Sequence, residues 1–138
     1  YFEAQPSNIP SKIGVQWKAS KNALHHIKSI DAKEMLDLTG ANAYSLNPED
    51  DAYFYPLPND GWKQDWSKTA QHMKAMKGIV TVDTGTAHLA GALGIKTIVL
   101  LPTESFVCWR WKNGRWYDSV VALRPNEYDK IPELLRRM

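Results

Sequence analysis

The residues best suited to chemistry form the run Asp83-Thr84-Gly85-Thr86-Ala87-His88. A helix that begins in this run carries small residues, so its backbone can approach a ligand closely. Backbone N–H groups at the start of a helix lack acceptors within the helix and attract anions, and phosphate is their usual ligand in open α/β sheets. The run therefore indicates an anion site. A structural explanation stays equally open, in which Asp83 caps the helix and Thr86 completes the turn.

Two apolar runs enclose this segment and predict the elements that position it. Residues 79–82 form a short run rich in β-branched side chains, and residues 97–101 are nearly continuously apolar. Such runs are typical of parallel strands that are buried on both faces. The stretch 78–101 is therefore predicted to form a strand, a small-residue turn, a helix and a second strand.

The rest of the chain continues this alternation. Further strands are predicted at 12–17, 43–46 and 119–123, and further helices from 31 to 40, over 65–77 and over 132–138. The helix at 31–40 has a capping-box pair in Asp31 and Glu34, a hydrophobic staple in Ile30 and Met35, and a glycine stop at Gly40.

The helix over 65–77 is predicted from its apolar spacing. Trp66, Ala70 and Met73 recur at the period of one helical face, and Gly78 is predicted to stop the helix before the next strand. The preceding stretch, 48–61, is rich in prolines and aromatic residues and is predicted to be an irregular loop.

Strands that alternate with helices predict an α/β domain with a Rossmann-like, mostly parallel sheet, helices on both faces and right-handed crossovers. The polar loop at 18–22 follows the first strand, at a carboxyl end of the kind where such folds bind ligands. The fingerprint G-x-G-x-x-G is absent after that strand, which argues against an NAD-binding domain.

Length and charge bound the possibilities further. The chain has 138 residues, the size of one domain, and a net charge of +2, so any electrostatic site has to be local. No apolar run is long enough to span a membrane, and the single cysteine, Cys108, excludes an internal disulfide and fits a reducing compartment slightly better. We expect a soluble, cytoplasmic protein. Residues 1–11 are predicted to be a linker from a missing N-terminal domain, and residues 12–138 the domain itself.

The string from Val82 to Gly94, VDTGTAHLAGALG, resembles the donor-site motif of the ADP-heptose lipopolysaccharide heptosyltransferase family and of related GT-B glycosyltransferase domains fused to tetratricopeptide repeats. Two further segments agree in order and spacing, Lys28-Ser29-Ile30 before the first helix and Leu101-Pro102-Thr103-Glu104 after the fourth strand. The tryptophan-rich segments 109–111 and 116–119 are similar to the repeat-fused branch. The resemblance covers roughly residues 12 to 125.

The resemblance implies that the chain is the C-terminal, nucleotide-sugar-binding half of a metal-independent GT-B glycosyltransferase acting on a glycan or glycoconjugate. It implies that Thr84, Gly85, Thr86 and Ala87 hold the donor diphosphate and that Lys28 adds a countercharge. Oriented N–H groups and one ammonium stabilise the negative charge that accumulates on a leaving nucleoside diphosphate. No metal and no cofactor are therefore expected, the nucleotide sugar being the substrate.

Further residues flank the same predicted site. His88, one turn into the helix, either donates to a phosphate or sugar hydroxyl or is a hydrogen-bonded core histidine. Lys18 and Thr103 are candidates for sugar or ribose contacts, and Glu104 either joins them or is an exposed loop acid. Asp83 would repel a phosphate that it faced, so we expect it to turn inward as a cap.

The same resemblance leaves the catalytic residues unassigned, because the family's catalytic base lies in the N-terminal half. The expected partners are a nucleotide sugar and the missing N-terminal acceptor domain. We therefore expect the isolated chain to bind the donor without turning it over.

A different function is open to the segment 109–117, in which aromatic and cationic residues interleave around the turn signal Asn113-Gly114. Such a surface could stack sugar rings or the bases of single-stranded nucleic acid, which would make the chain a non-catalytic binding module. The small net charge disfavours nucleic acid. The structural alternative is a hairpin or loop whose tryptophans pack on the sheet edge. An epimerase or kinase-like use of the same nucleotide-sugar half also stays open, because fold does not fix chemistry.

Overall fold

The computed structural model describes residues 12–18, 29–47, 51–82, 84–101 and 119–138. Several predictions from the sequence lie outside these ranges and stay predictions: the linker at 1–11, the tryptophan-rich segment 109–117, and the residues Lys28, Asp83, Thr103, Glu104 and Cys108.

A five-stranded sheet forms the centre of the described structure. Its strands are β1 (Ile13–Gln16), β2 (Ala43–Ser45), β3 (Gly78–Val82), β4 (Thr97–Leu100) and β5 (Val120–Leu123), and they lie side by side in the order β2-β1-β3-β4-β5. All four neighbouring pairs are parallel. The helices between them are α1 (Ala32–Thr39), α2 (Trp66–Lys74), α3 (Gly85–Ala92) and α4 (Ile131–Arg136), with 3₁₀ turns at Trp62–Gln64 and Pro125–Lys130.

The helices cover both faces of the sheet, because successive strand residues point to opposite sides. On one face α1 and α4 pack together over a cluster that includes the buried residues Val15, Met35, Val80, Val82, Ile98, Leu100 and Ile131. On the other face α2 and α3 contribute to a cluster of Leu46, Leu57, Trp62, Met73, Met76, Ile79 and Ala90. The predicted α/β architecture, Rossmann-like with a parallel sheet, is confirmed.

Helix α1 begins and ends where the sequence predicts, but its capping differs. Asp31 occupies the N-cap position with extended backbone, yet its side chain makes no capping hydrogen bond, so the predicted capping box with Glu34 is wrong. Ile30 and Met35 are buried in the same cluster, as the staple predicts. Gly40 ends the helix with φ +80°, a left-handed value that favours glycine.

The predicted apolar face of α2 is correct only in part. Ala70 and Met73 are buried, whereas Trp66 is 60 % exposed. Trp66 is the first residue of the helix, and the core position at this end is filled instead by Trp62 from the preceding 3₁₀ turn. The prediction that Gly78 stops the helix is also wrong. Helix α2 ends at Lys74, and Gly78 opens β3, with the side chain of Met138 packed where a Cβ would project.

The remaining boundaries shift by a residue or two, and the sequence pattern missed the short 3₁₀ turns. The turn at Pro125–Lys130 leads directly into α4. The Glu127 carboxylate accepts a hydrogen bond from the Arg124 backbone N–H at 3.2 Å and another from Lys130, and both interactions lower the pKa of Glu127. In the predicted loop 48–61, Tyr55 forms a parallel bridge to Tyr44 at the edge of β2. No helix within the described residues is long and apolar enough to cross a membrane.

Tyr128 provides a test of this packing. Its hydroxyl is buried and has no hydrogen-bond partner among the described residues, and burial together with the charge of Glu34 raises its pKa to about 12. The folded state therefore binds the phenolic proton more tightly than the unfolded state, whose tyrosine pKa is near 10. The resulting contribution to the free energy of unfolding is complete below pH 10 and is lost as the pH rises through the pKa of the folded state.

We expect Tyr128→Phe to change the free energy of unfolding at pH 7 by less than about 1 kcal/mol, because an unpaired hydroxyl contributes little. The variant should lose less stability than the wild type between pH 10 and 12. Urea unfolding of both proteins at pH 7, 9, 10 and 11 measures the difference. Parallel stability curves above pH 10 would contradict the burial of this hydroxyl.

Candidate functional site

The strand order creates a crevice between β1 and β3. The chain leaves β1 toward β2 on one side and leaves β3 toward β4 on the other, so the connections diverge at this point. In open α/β sheets ligands bind in such a crevice, outside the carboxyl ends of the strands. Gln16 and Thr81 are paired at this end of β1 and β3. The residues around them therefore define the candidate site.

Helix α3 starts at the mouth of the crevice, directly after β3. Thr84 occupies its N-cap position with extended backbone, and Gly85 is the first helical residue. The N-cap of α3 is therefore Thr84, and the expected capping by Asp83 stays a prediction. The Thr84 side chain makes no capping hydrogen bond, so it does not satisfy the N–H groups of the first turn.

The first turn of α3 presents backbone rather than side chains. Thr86 and Ala87 are buried, while Gly85 is exposed. The Ala87 N–H already donates to the Thr84 carbonyl at 3.0 Å. The N–H groups of Gly85 and Thr86 occupy the first two helical positions, which have no acceptor within a helix. These two groups are the better placed donors for an anion.

A small polar network joins the end of β1 to the start of α3. The Thr84 hydroxyl lies 3.2 Å from the Thr81 hydroxyl and 3.5 Å from Oε1 of Gln16. Nε2 of Gln16 donates to the Lys18 carbonyl at 3.2 Å. The network spans the crevice, because Gln16 belongs to β1 and Thr84 follows β3.

The backbone of Lys18 is held from the other side by Asn47, which follows β2. Oδ1 of Asn47 accepts a hydrogen bond from the Lys18 N–H at 3.1 Å, and Asn47 itself is buried. The Asn47 N–H in turn donates to the Ser45 hydroxyl at 3.2 Å. Lys18, predicted as a possible sugar or ribose contact, thus lies at the same edge as α3 with its main chain fixed.

Trp66 is the most exposed of the large hydrophobic residues described, and it stands beside this site. A Cβ placed on Gly85 would lie 3.4 Å from Cη2 and 3.6 Å from Cζ2 of the Trp66 ring. The indole therefore lies beside the helix start, at the distance where a side chain on Gly85 would touch it. Trp66 adds a flat apolar surface next to the candidate anion donors.

Hydrogen bonds hold the segment before α2 in position, and Trp66, the first residue of α2, is positioned by them. Asp60 accepts from the Trp62 N–H at 3.1 Å and pairs with Nε2 of the buried His72 at 2.8 Å. Asp65 caps α2 by accepting from the Ser67 N–H at 2.8 Å. The exposed indole is thus carried by a well-anchored helix start.

The structure brings together part of the predicted site. Thr84, Gly85, Thr86 and Ala87 lie at the start of α3, and Lys18 lies across the crevice. His88 is partly exposed one turn further along the helix and makes an interaction of its own, so its predicted contact with a ligand stays a prediction. Within the described ranges, no three histidine, cysteine or acidic side chains are grouped so that they could hold a metal ion.

The sequence reasoning missed Gln16, Asn47, Thr81 and the true position of Trp66. One signal was available for Gln16 and Asn47: each is a lone amide at the end of an apolar strand, and polar residues at strand ends in an α/β fold face the ligand edge. Pairing between Gln16 and Thr84 is a long-range contact that no local pattern predicts.

The fold of this chain is similar to that of solved glycosyltransferases. It superposes on Escherichia coli heptosyltransferase WaaC with ADP at a TM-score of 0.63, with 18 % sequence identity over 94 % of this chain and 46 % of that chain. It superposes on the same enzyme with ADP-2-deoxy-2-fluoro heptose at a TM-score of 0.59, with 16 % identity over 96 % of this chain and 43 % of that chain.

The likeness is therefore one of fold. The chain has a GT-B glycosyltransferase-like α/β fold and spans less than half the length of these enzymes. No family model matches the sequence, and no curated protein matches it.

Trp62 and Trp66 give a matched test of the geometry, because they are the same residue type four positions apart. Trp62→Ala should lower the free energy of unfolding by about 3–5 kcal/mol, since it empties a core position. Trp66→Ala should change it by less than about 0.5 kcal/mol, since the indole is mostly exposed. Chemical denaturation of both variants measures the two effects. Equal losses would place Trp66 in the core and remove it from the site.

Proposed function

We propose that this chain is the nucleotide-sugar-binding, C-terminal half of a metal-independent GT-B glycosyltransferase that acts on a glycan or glycoconjugate. The observation that carries the proposal is the start of α3, which opens at the β1–β3 crevice with a first turn that the Thr84 side chain does not cap and with an exposed tryptophan beside it. The similarity in fold to an enzyme solved with ADP and with an ADP sugar analogue supports it.

The start of α3 suits a diphosphate for an electrostatic reason. The N–H groups of Gly85 and Thr86 and the positive end of the helix dipole favour negative charge there. Cleavage of the bond between sugar and diphosphate increases that charge, so the same donors bind the leaving group more strongly in the transition state than in the substrate. This arrangement supplies the stabilisation that a metal ion provides in other enzymes.

Trp66 suits the nucleoside part of the same ligand. An indole presents a large apolar face that stacks on flat rings, and this one adjoins the residue that would hold the phosphates. Lys28 is proposed as the countercharge, and Thr103, Glu104 and Lys18 as sugar or ribose contacts, on the strength of the sequence motif alone. The catalytic base is proposed to lie in an acceptor domain that is absent from this chain.

Calorimetric titration of the chain with ADP, GDP, UDP and their common sugar conjugates tests the proposal. We expect selective binding of one nucleoside diphosphate that chelators leave unchanged, and no sugar transfer or hydrolysis by the chain alone. A single-stranded oligonucleotide and a glycan serve as comparison ligands. Binding of either of these without binding of any nucleotide would move the function to the segment 109–117.

Variants then locate the ligand. Thr84→Val and Trp66→Ala should each weaken diphosphate binding about tenfold, or ~1.4 kcal/mol, because each removes a single contact. Lys28→Ala should cost about 1–3 kcal/mol if its ammonium meets phosphate in a charge-assisted bond. Tyr53→Ala is the matched control, because Tyr53 is also exposed, at 54 %, and precedes the Tyr55 bridge at the edge of β2. Equal losses in Tyr53→Ala and Trp66→Ala would contradict the proposed site.

A further inference from the structure

Gln16 is a buried amide at the end of a central strand. Only 8 % of its surface is exposed, and the other residues of β1 are Ile13, Gly14 and Val15. A buried amide is costly unless its polar atoms are hydrogen-bonded. Gln16 therefore carries a polar side chain at a position where packing alone would favour an apolar one.

The amide has one possible orientation in this setting. Its NH₂ group faces the Lys18 carbonyl at 3.2 Å, and a carbonyl can only accept, so the donor end of the amide is fixed there. The opposite end, Oε1, then faces the Thr84 hydroxyl. The Lys18 backbone is itself held by Asn47, which follows β2. Two amides, those of Asn47 and Gln16, therefore connect the end of β2 to the start of α3.

The hydroxyl of Thr84 has one hydrogen and two acceptors in reach. Thr81 donates its own hydrogen to the Val82 carbonyl at 2.9 Å, so its oxygen can accept from Thr84 at 3.2 Å. The distance from Thr84 to Gln16 is 3.5 Å, longer than a normal O–H···O bond. Oε1 of Gln16 is therefore the weaker of the two acceptors for the Thr84 hydrogen.

We propose that Gln16 is a positioning residue for the diphosphate. It does not touch the ligand, but its amide binds the Lys18 carbonyl and offers the Thr84 hydroxyl a weak second acceptor, which limits the separation of these groups across the crevice. This inference rests on the proposed function, because it assigns a role within the same site.

The inference explains why an amide rather than a carboxylate occupies the position. A glutamate is nearly the same size, but when ionised it cannot donate to the Lys18 carbonyl, and it adds a negative charge where an anion is to bind. When protonated, its carboxyl group donates through one oxygen and accepts through the other, as the amide does. In Gln16→Glu, the affinity for the diphosphate should therefore depend on the protonation state of the new carboxyl group, and hence on pH.

The decisive experiment is titration of wild type and Gln16→Glu with ADP, GDP and UDP between pH 5 and 8. Burial raises the pKa of a carboxyl group above its usual value near 4.3, so the protonated form persists into this range. We expect the variant to bind the preferred diphosphate about tenfold more weakly than wild type at pH 8. The ratio of the two affinities should approach one as the pH falls toward 5.

The comparison with wild type isolates the new carboxyl. Among the described residues, the ionisable side chains on the segments that carry the network are Lys18 after β1, Tyr44 on β2 and His88 on α3. These groups and the ligand's own phosphate are present with both proteins, so the ratio of the two affinities reports the new carboxyl. Melting temperatures measured at each pH separate binding from folding.

A second variant keeps the inference testable if Gln16→Glu folds poorly. Gln16→Met retains the side-chain length without hydrogen bonds, and it should weaken binding of the preferred diphosphate at every pH while leaving binding of the corresponding nucleoside unchanged. In a double-mutant cycle with Thr84→Val the two losses should not add, because Gln16 acts through Thr84.

These experiments test the role of Gln16 separately from the proposed function. If wild type binds a diphosphate and the affinity ratio of a folded Gln16→Glu protein is the same from pH 5 to 8, or the cycle with Gln16→Met is additive, the role of Gln16 is refuted and the donor site stands. If wild type binds no nucleoside diphosphate, the proposed function fails, and the role of Gln16 fails with it.

Discussion

The pairing of β1 with β3 is the constraint on which the site depends. It places two strands that are distant in sequence side by side, and it makes the chain diverge at their carboxyl ends. Close packing enforces it: a Cβ on Gly14, in the middle of β1, would lie 2.5 Å from Sδ of Met76 and 2.8 Å from a methyl group of Leu46. A larger residue at Gly14 would have to displace the side chains of Met76 and Leu46, which pack in the core on this face of the sheet.

Among the described residues, the candidate site is formed by main-chain groups more than by charged side chains. Small residues let α3 lie close to β3 and β4, with Ala87 and Ala90 fully buried and Gly85 exposed at the mouth of the crevice. Fixed N–H dipoles need no reorganisation as charge develops on a ligand, which is the property that makes such donors effective. The two amides of this network, Gln16 and Asn47, both hydrogen-bond to the backbone of Lys18.

The sequence predicts those parts of the structure that follow from local periodicity. The apolar runs gave the strands to within a residue or two, and Gly40 ended α1 where its freedom at positive φ allows it. Local patterns predicted the wrong structure where the same pattern is compatible with two arrangements of a side chain. Trp66 fits a helical apolar face, but Trp62 fills the core and leaves it exposed, and Asp31 has a capping sequence without the capping bond. The contact between Gln16 and Thr84 depends on strand order, which no window of sequence contains.

A site of this kind tolerates extensive change in sequence. An N–H donor is supplied by any residue except proline, so the start of α3 constrains side-chain size at a few positions and little else. Burial of the two cores constrains polarity but accepts many apolar combinations of similar volume. An identity of 18 % with an enzyme of similar fold is therefore compatible with the anion site that we propose. The positions that such a site cannot easily exchange are those that fix backbone geometry, and in this chain they include Gly14 and, by the argument from its amide, Gln16.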